Sequence, residues 1–100
     1  MQRNWRDRSG DELDLVMRDP ESDMVVFVEV RTQDGRHGGF AGGPVHSIGP
    51  EKRRKLWRAC ERWLTTSTWK PRATRVDVVT LRYLGWFRWE IQWFQNALTS

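Results

Sequence analysis

ELDLVMRDPESDMVVFVEVR, residues 12–31, reads as two strands folded back on one another. Two runs rich in Leu, Val, Met and Phe flank Asp19-Pro20-Glu21-Ser22-Asp23, where proline pre-sets one dihedral and the Asp and Ser side chains cap the bend. Side chains alternate with period two. Glu12, Asp14, Val16 and Arg18 therefore share one face of the first strand, and Val25, Phe27, Glu29 and Arg31 share one face of the second. The other face carries Leu13, Leu15 and Met17 against Met24, Val26, Val28 and Val30, an apolar set that the pattern assigns to the core.

Pairing near residues 18 and 24 brings Asp14 opposite or diagonal to Glu29, on the order of 5 to 8 Å away. Like charges there repel, and Asp is disfavoured in mid-strand, so Glu12, Asp14 and Glu29 break a local rule without a local gain. Two chemistries resolve the conflict. A divalent cation, magnesium or manganese, takes carboxylate oxygens plus water, and acids on neighbouring strands suit it. Arg31, two positions beyond Glu29 on the same face, would then hold a phosphate or the attacking water. Alternatively the face is a solvated, salt-bridged sheet surface neutralised by Arg18 and Arg31.

Beyond the hairpin, residues 33–49 (QDGRHGGFAGGPVHSIG) are glycine-rich and aperiodic, and they read as a loop longer than the roughly 12 to 15 residues of most structureless connections. Such a loop, leaving the strand just after Arg31, would bring Arg36, His37 and His46 within reach of a phosphodiester, or serve as a surface tether. Gly49-Pro50-Glu51 then announces a helix to about Thr66, with Leu56, Ala59, Cys60, Trp63 and Leu64 as its apolar stripe. That stripe makes Cys60 a core residue. Lys52-Arg53-Arg54-Lys55 places cations in the first turn, against the helix dipole. An incoming phosphate would relieve this arrangement; a solvated basic face offset by Glu51 is the plainer reading.

Residues 74–82 (TRVDVVTLR) form a β-branched strand, and the intervening helix implies that it runs parallel to the second hairpin strand. Asp77 within it suits a buried partner for an arginine, or a supporting member of the acidic site. In WFRWEIQW, 86–93, Phe87, Trp89, Ile91 and Trp93 alternate with polar residues as in a half-buried strand after a turn at Leu84-Gly85. A core this small needs those rings inside; stacking of nucleic-acid bases would instead need them exposed beside cations.

One hundred residues allow one domain, and 38% hydrophobic content with seven Trp allows a compact core. A net charge of +4 fits a polyanionic partner as well as ordinary solubility. Cys60 is the sole cysteine, which excludes an internal disulfide and fits a reducing cytoplasm. No apolar run approaches a membrane span and no signal peptide precedes the first strand, so no membrane partner is expected.

GDELDL at 10–15 followed by VVFVEVRT at 25–32 resembles the paired motif of the YraN family, bacterial proteins with an expected endonuclease fold of the PD-(D/E)XK type. The resemblance extends to Asn4-Trp5-Arg6 as a first strand, to GGPVHSIGPEKRRKL as loop and helix start, and to TRVDVVTL and IQWFQNALT as later strands. It implies a metal-dependent nuclease acting on branched or structured DNA. Asp14 and Glu29 would hold magnesium or manganese, Arg31 would orient phosphate, and Glu12 would be an auxiliary acid. The chain departs from the pattern in three places. Family members begin with a helix that adds an acid to the site, whereas Met1 here stands almost on the first strand. Asp11 replaces a favoured Gly, and Arg31 stands where the superfamily has Lys, so it remains charged and cannot act as a general base.

These readings together predict an α/β domain over residues 1–100: a mixed sheet of three to five strands with one main helix and a restriction-endonuclease-like core. Lys52, Arg53, Arg54, Lys55 and Arg36 are its expected DNA-binding residues. Two other classes stay open, a non-catalytic nucleic-acid-binding module and an interaction domain that forms a homodimer through an uncovered sheet face.

Overall fold

Turn chemistry closes the hairpin as the sequence predicts. Asp19 Oδ1 accepts from the Glu21 N–H at 3.1 Å, its Oδ2 accepts from the Ser22 hydroxyl at 2.8 Å, and Asp23 takes a left-handed φ of 52°. The computed structural model describes residues 2–8, 10–34 and 48–98. In chain order they form β1 (Gln2–Arg6), β2 (Glu12–Asp19), β3 (Met24–Asp34), α1 (Pro50–Thr66), β4 (Ala73–Gly85) and β5 (Arg88–Leu98). The strands join into one sheet in the order β1-β2-β3-β4-β5. Only the β3–β4 pair, whose strands are linked through α1, is parallel; the others are antiparallel. The protein is thus an α/β fold, a mixed five-stranded sheet with one helix among the described residues. Arg36, His37 and His46 lie outside those residues.

The structure corrects the face assigned to the core. The main cluster lies on the side shared by Val16, Val25 and Phe27, where Leu56, Ala59 and Cys60 of α1 pack against them together with Ile48, Val76, Val78 and Leu98. The Phe27 and Trp63 rings meet edge to face at 5.6 Å. Val26, Val28 and Val79 form a smaller cluster on the opposite face, flanked by half-buried Leu15, Met17, Met24, Val30 and Leu81. Alternation states which residues share a face; the crossover helix decides which face is covered, and α1 takes the acidic one. Leu13 belongs to the main core although it lies three residues, an odd number, from Val16, so the alternation of β2 slips at Asp14. Asn4, on the neighbouring strand between the partners of Leu13 and Leu15, has a left-handed φ of 53°.

The aromatic strand is corrected too. The turn falls at Trp86-Phe87, both left-handed (φ 52° and 61°), and β5 runs on to Leu98. Trp89, Ile91 and Trp93 pair with Tyr83, Leu81 and Val79, on the face opposite α1, and all three are exposed rather than in the core. Phe94 and Leu98, an even number of residues apart and out of phase with Trp93, pack on the helix side, and the register shift between Val76 and Val78 leaves that face unchanged. Asp77 takes the structural role: it is fully buried on the opposite face and pairs with Arg75 at 3.0 Å, away from the other acids.

Candidate functional site

Covering the acidic face with α1 places the start of that helix over the hairpin. Gly10, Asp11, Glu12, Asp14 and Glu29 line one side of a cavity of about 600 Å³, and Gly49, Pro50, Glu51, Lys52, Lys55 and Leu56 line the other. Two carboxylates from adjacent strands and the cationic first turn therefore face one another, as their separate motifs suggest.

Within the pocket, Asp14 Oδ2 accepts from the Val30 N–H at 2.8 Å, which fixes it against β3. Glu29 is buried, and its Oε1 lies 3.2 Å from Lys52 Nζ. Burial raises the Glu29 pKa above its ordinary value, and the charge of Asp14 raises it further, against the partial offset of Lys52.

The remaining expected residues are placed as follows. Glu12 is exposed at the pocket rim, bonded to Arg6 at 2.8 Å. Arg31 is half-buried on β3, two residues beyond Glu29. Arg53 Nε donates to the Ile48 carbonyl at 3.2 Å, Lys55 lies 3.6 Å from Glu51, and Arg54 is exposed. The first turn is thus partly neutralised from within, by Glu29 and Glu51, while the helix itself has no side-chain cap at Gly49. Cys60 sits in the core, and burial pushes its thiol up to about 12, so it is unreactive. Among the described residues no group of three or more His, Cys, Asp or Glu could hold a metal.

Asp11 is the residue whose part sequence reasoning missed. It is 7% exposed and accepts from Arg58 Nε and Nη2 at 2.9 and 2.7 Å, while Arg62 Nε lies 2.9 Å away and also 3.5 Å from Asp7. Arg58 and Arg62 are one turn apart on α1, a spacing visible in the sequence, but nothing local names their acid. This clamp ties α1 to the loop before β2 and so sets the width of the pocket. Asp11→Ala should cost about 1–3 kcal/mol, charged hydrogen bonds being worth that much, or a drop in thermal midpoint of roughly 5–15 °C. An unchanged melting curve would show that water already satisfies the two arginines.

The fold and pocket define an α/β protein whose acid pair lies beneath a cationic helix start. The model of the family described as "Uncharacterised protein family UPF0102" matches residues 1–81, and the chain belongs to that family, which is the YraN family. It is 46% identical over 99 residues to a UPF0102 protein of Alkalilimnicola ehrlichii, covering 97% of this chain and 69% of that protein. With a relative from Pseudomonas entomophila it shares 44% identity over 96 residues, 95% of this chain and 73% of the relative. A relative from a Mycobacterium species is 42% identical over 82 residues, and there the chain spans 58% of the longer protein. No helix among the described residues is long and apolar enough to cross a membrane.

Proposed function

We propose that this protein is a metal-dependent nuclease of DNA, acting on branched or structured substrates. The observation that carries the reading is that Asp14 and Glu29, acids of adjacent strands, line one pocket walled by the cations of a helix start. Two like-charged carboxyl groups brought to one pocket suit a divalent cation, which removes their repulsion. Asp14 and Glu29 would hold magnesium or manganese, which, when bound, supplies Lewis acidity and a water of lowered pKa. Lys52 and Lys55 line the same pocket and hold a phosphate's charge there; Arg31, Arg53 and Arg54 extend the binding surface, with Glu12 as auxiliary acid at the rim. A mixed sheet carrying its acids on a hairpin ahead of the crossover helix is compatible with a restriction-endonuclease-like core.

Two observations favour a second reading. Lys52 already pairs with Glu29 at 3.2 Å, and among the described residues no group of three or more His, Cys, Asp or Glu could hold a metal. Both suit a module that binds nucleic acid without cutting it. Incubation with branched and linear DNA, in magnesium, manganese or chelator, separates the two. A nuclease cleaves only with metal, and Asp14→Ala abolishes cleavage while leaving DNA binding in place. No cleavage with either ion, together with chelator-insensitive binding that falls steeply with salt, assigns the protein to the binding class.

A further inference from the structure

The face opposite α1 bears on a different question. Trp86, Phe87, Trp89, Ile91 and Trp93 are 90, 94, 56, 66 and 49% exposed. Large side chains of this kind present on the order of 700 Å² of apolar surface at those exposures. Monomers rarely show a contiguous patch beyond about 300–600 Å², and a stable interface takes about 800 Å² from each partner. Half-buried Leu15, Met17, Met24 and Val30 continue the patch across the sheet and supply the difference. Arg75 and Asp77 within it neutralise one another at 3.0 Å, and Arg3, in register with Leu15, stands at its β1 edge. Rings that stack on bases alternate with cations, whereas Trp89, Ile91 and Trp93 stand beside Tyr83, Leu81 and Val79. An apolar occupant fits this surface.

We propose that the protein pairs with a second copy of itself through this face. The patch is asymmetric: bulky rings crowd the β4–β5 side, and Val26, Val28 and their aliphatic neighbours form a lower floor on the β2–β3 side. A two-fold axis running along the strands lays the aromatic side of each copy on the aliphatic side of the other, so one surface is complementary to itself. The Trp86-Phe87 tip, left-handed at both residues and exposed, reaches past its own sheet and finds its cover on the partner. Both acidic pockets stay open, because they lie on the outer faces.

The test is mass by light scattering and sedimentation of the full chain. We expect twice the 11.9 kDa of one chain at micromolar concentration, with a dissociation constant of about 10 μM or tighter. Dilution through the transition should shift tryptophan emission to the red as the rings return to water. Ile91→Lys should weaken pairing by about 100-fold or more, because it buries an unpaired charge, with the circular dichroism of the fold retained. A chain that is monomeric at about 100 μM, or a dimer that Ile91→Lys leaves intact, overturns the proposal. So does a monomer whose emission is quenched by oligothymidylate in chelator, which would assign the rings to bases. None of these readouts depends on nuclease activity.

Discussion

Glu29→Gln is expected to make the protein more resistant to heat at pH 7 while strongly reducing the metal-dependent cleavage proposed for it. Burial, and then the charge of Asp14, raise the proton affinity of Glu29 above the ordinary 4.5. Below that pH both the native and the unfolded chain hold the proton, and nothing is lost. As pH rises past it the unfolded chain ionises first, so native stability declines until the folded carboxyl has ionised too. The amide cannot ionise and removes this penalty. Lys52, which is half-exposed, returns its charge to water. The gain should be on the order of 1 kcal/mol, about 4–8 °C in thermal midpoint at pH 7, and should vanish at pH 4. Manganese should raise the midpoint of the parent protein and not of this variant. Cleavage should fall by about 10³-fold, the value of several kcal/mol of Lewis-acid stabilisation at roughly 1.4 kcal/mol per tenfold. A variant that melts lower at pH 7, or keeps its manganese response, would remove Glu29 from the site proposed for it.

Asp77→Ala should produce the largest loss of stability. The carboxylate is fully buried and collects Arg75 Nε at 3.0 Å, Arg75 Nη2 at 3.2 Å, Trp93 Nε1 at 2.8 Å and the Asn96 N–H at 2.8 Å. Two of those donors belong to β5, an edge strand joined to the sheet on one side only. Removing the acceptor strands the Arg75 charge and two N–H groups, a change that costs about 3–5 kcal/mol at buried pairs out of a total stability of roughly 5–15 kcal/mol. Urea titration followed by tryptophan fluorescence measures it. Asp77→Asn, which keeps the shape and part of the bonding, should lose distinctly less. A cost under about 1 kcal/mol for the alanine variant would mean that ladder bonds alone hold β5 in place.

The elements legible in the sequence are those whose local signals agree with their tertiary roles. Asp19, Pro20 and Ser22 specify the turn, Leu56 through Leu64 specify the helix, and the β-branched run after Ala73 specifies a parallel strand. That Asp14 and Glu29 meet at one pocket was also legible, because charged residues in mid-strand on adjacent strands violate propensity and share a face. Period two, however, cannot say which side of a sheet a helix will cover. The valines of β3 that looked most core-like face away from α1, and the rings of β5 that seemed indispensable to a small core stand in solvent. The slip at Asp14 adds a change of phase that no strand pattern contains. Asp11 was hidden for another reason: its partner Arg58 is 47 residues away, and an exposed arginine on a helix looks like any other until its acid is found.

Glu29 sits on β3, which is bonded to β2 on one side and to β4 on the other, while the lysines beside it ride on long tethers from α1. The carboxyl groups are accordingly a fixed gauge and the ammonium groups a compliant jaw. Under the proposed function, ligands of different width would be accommodated by re-aiming Lys52 and Lys55, while the spacing between the acids would stay constant from one ligand to the next.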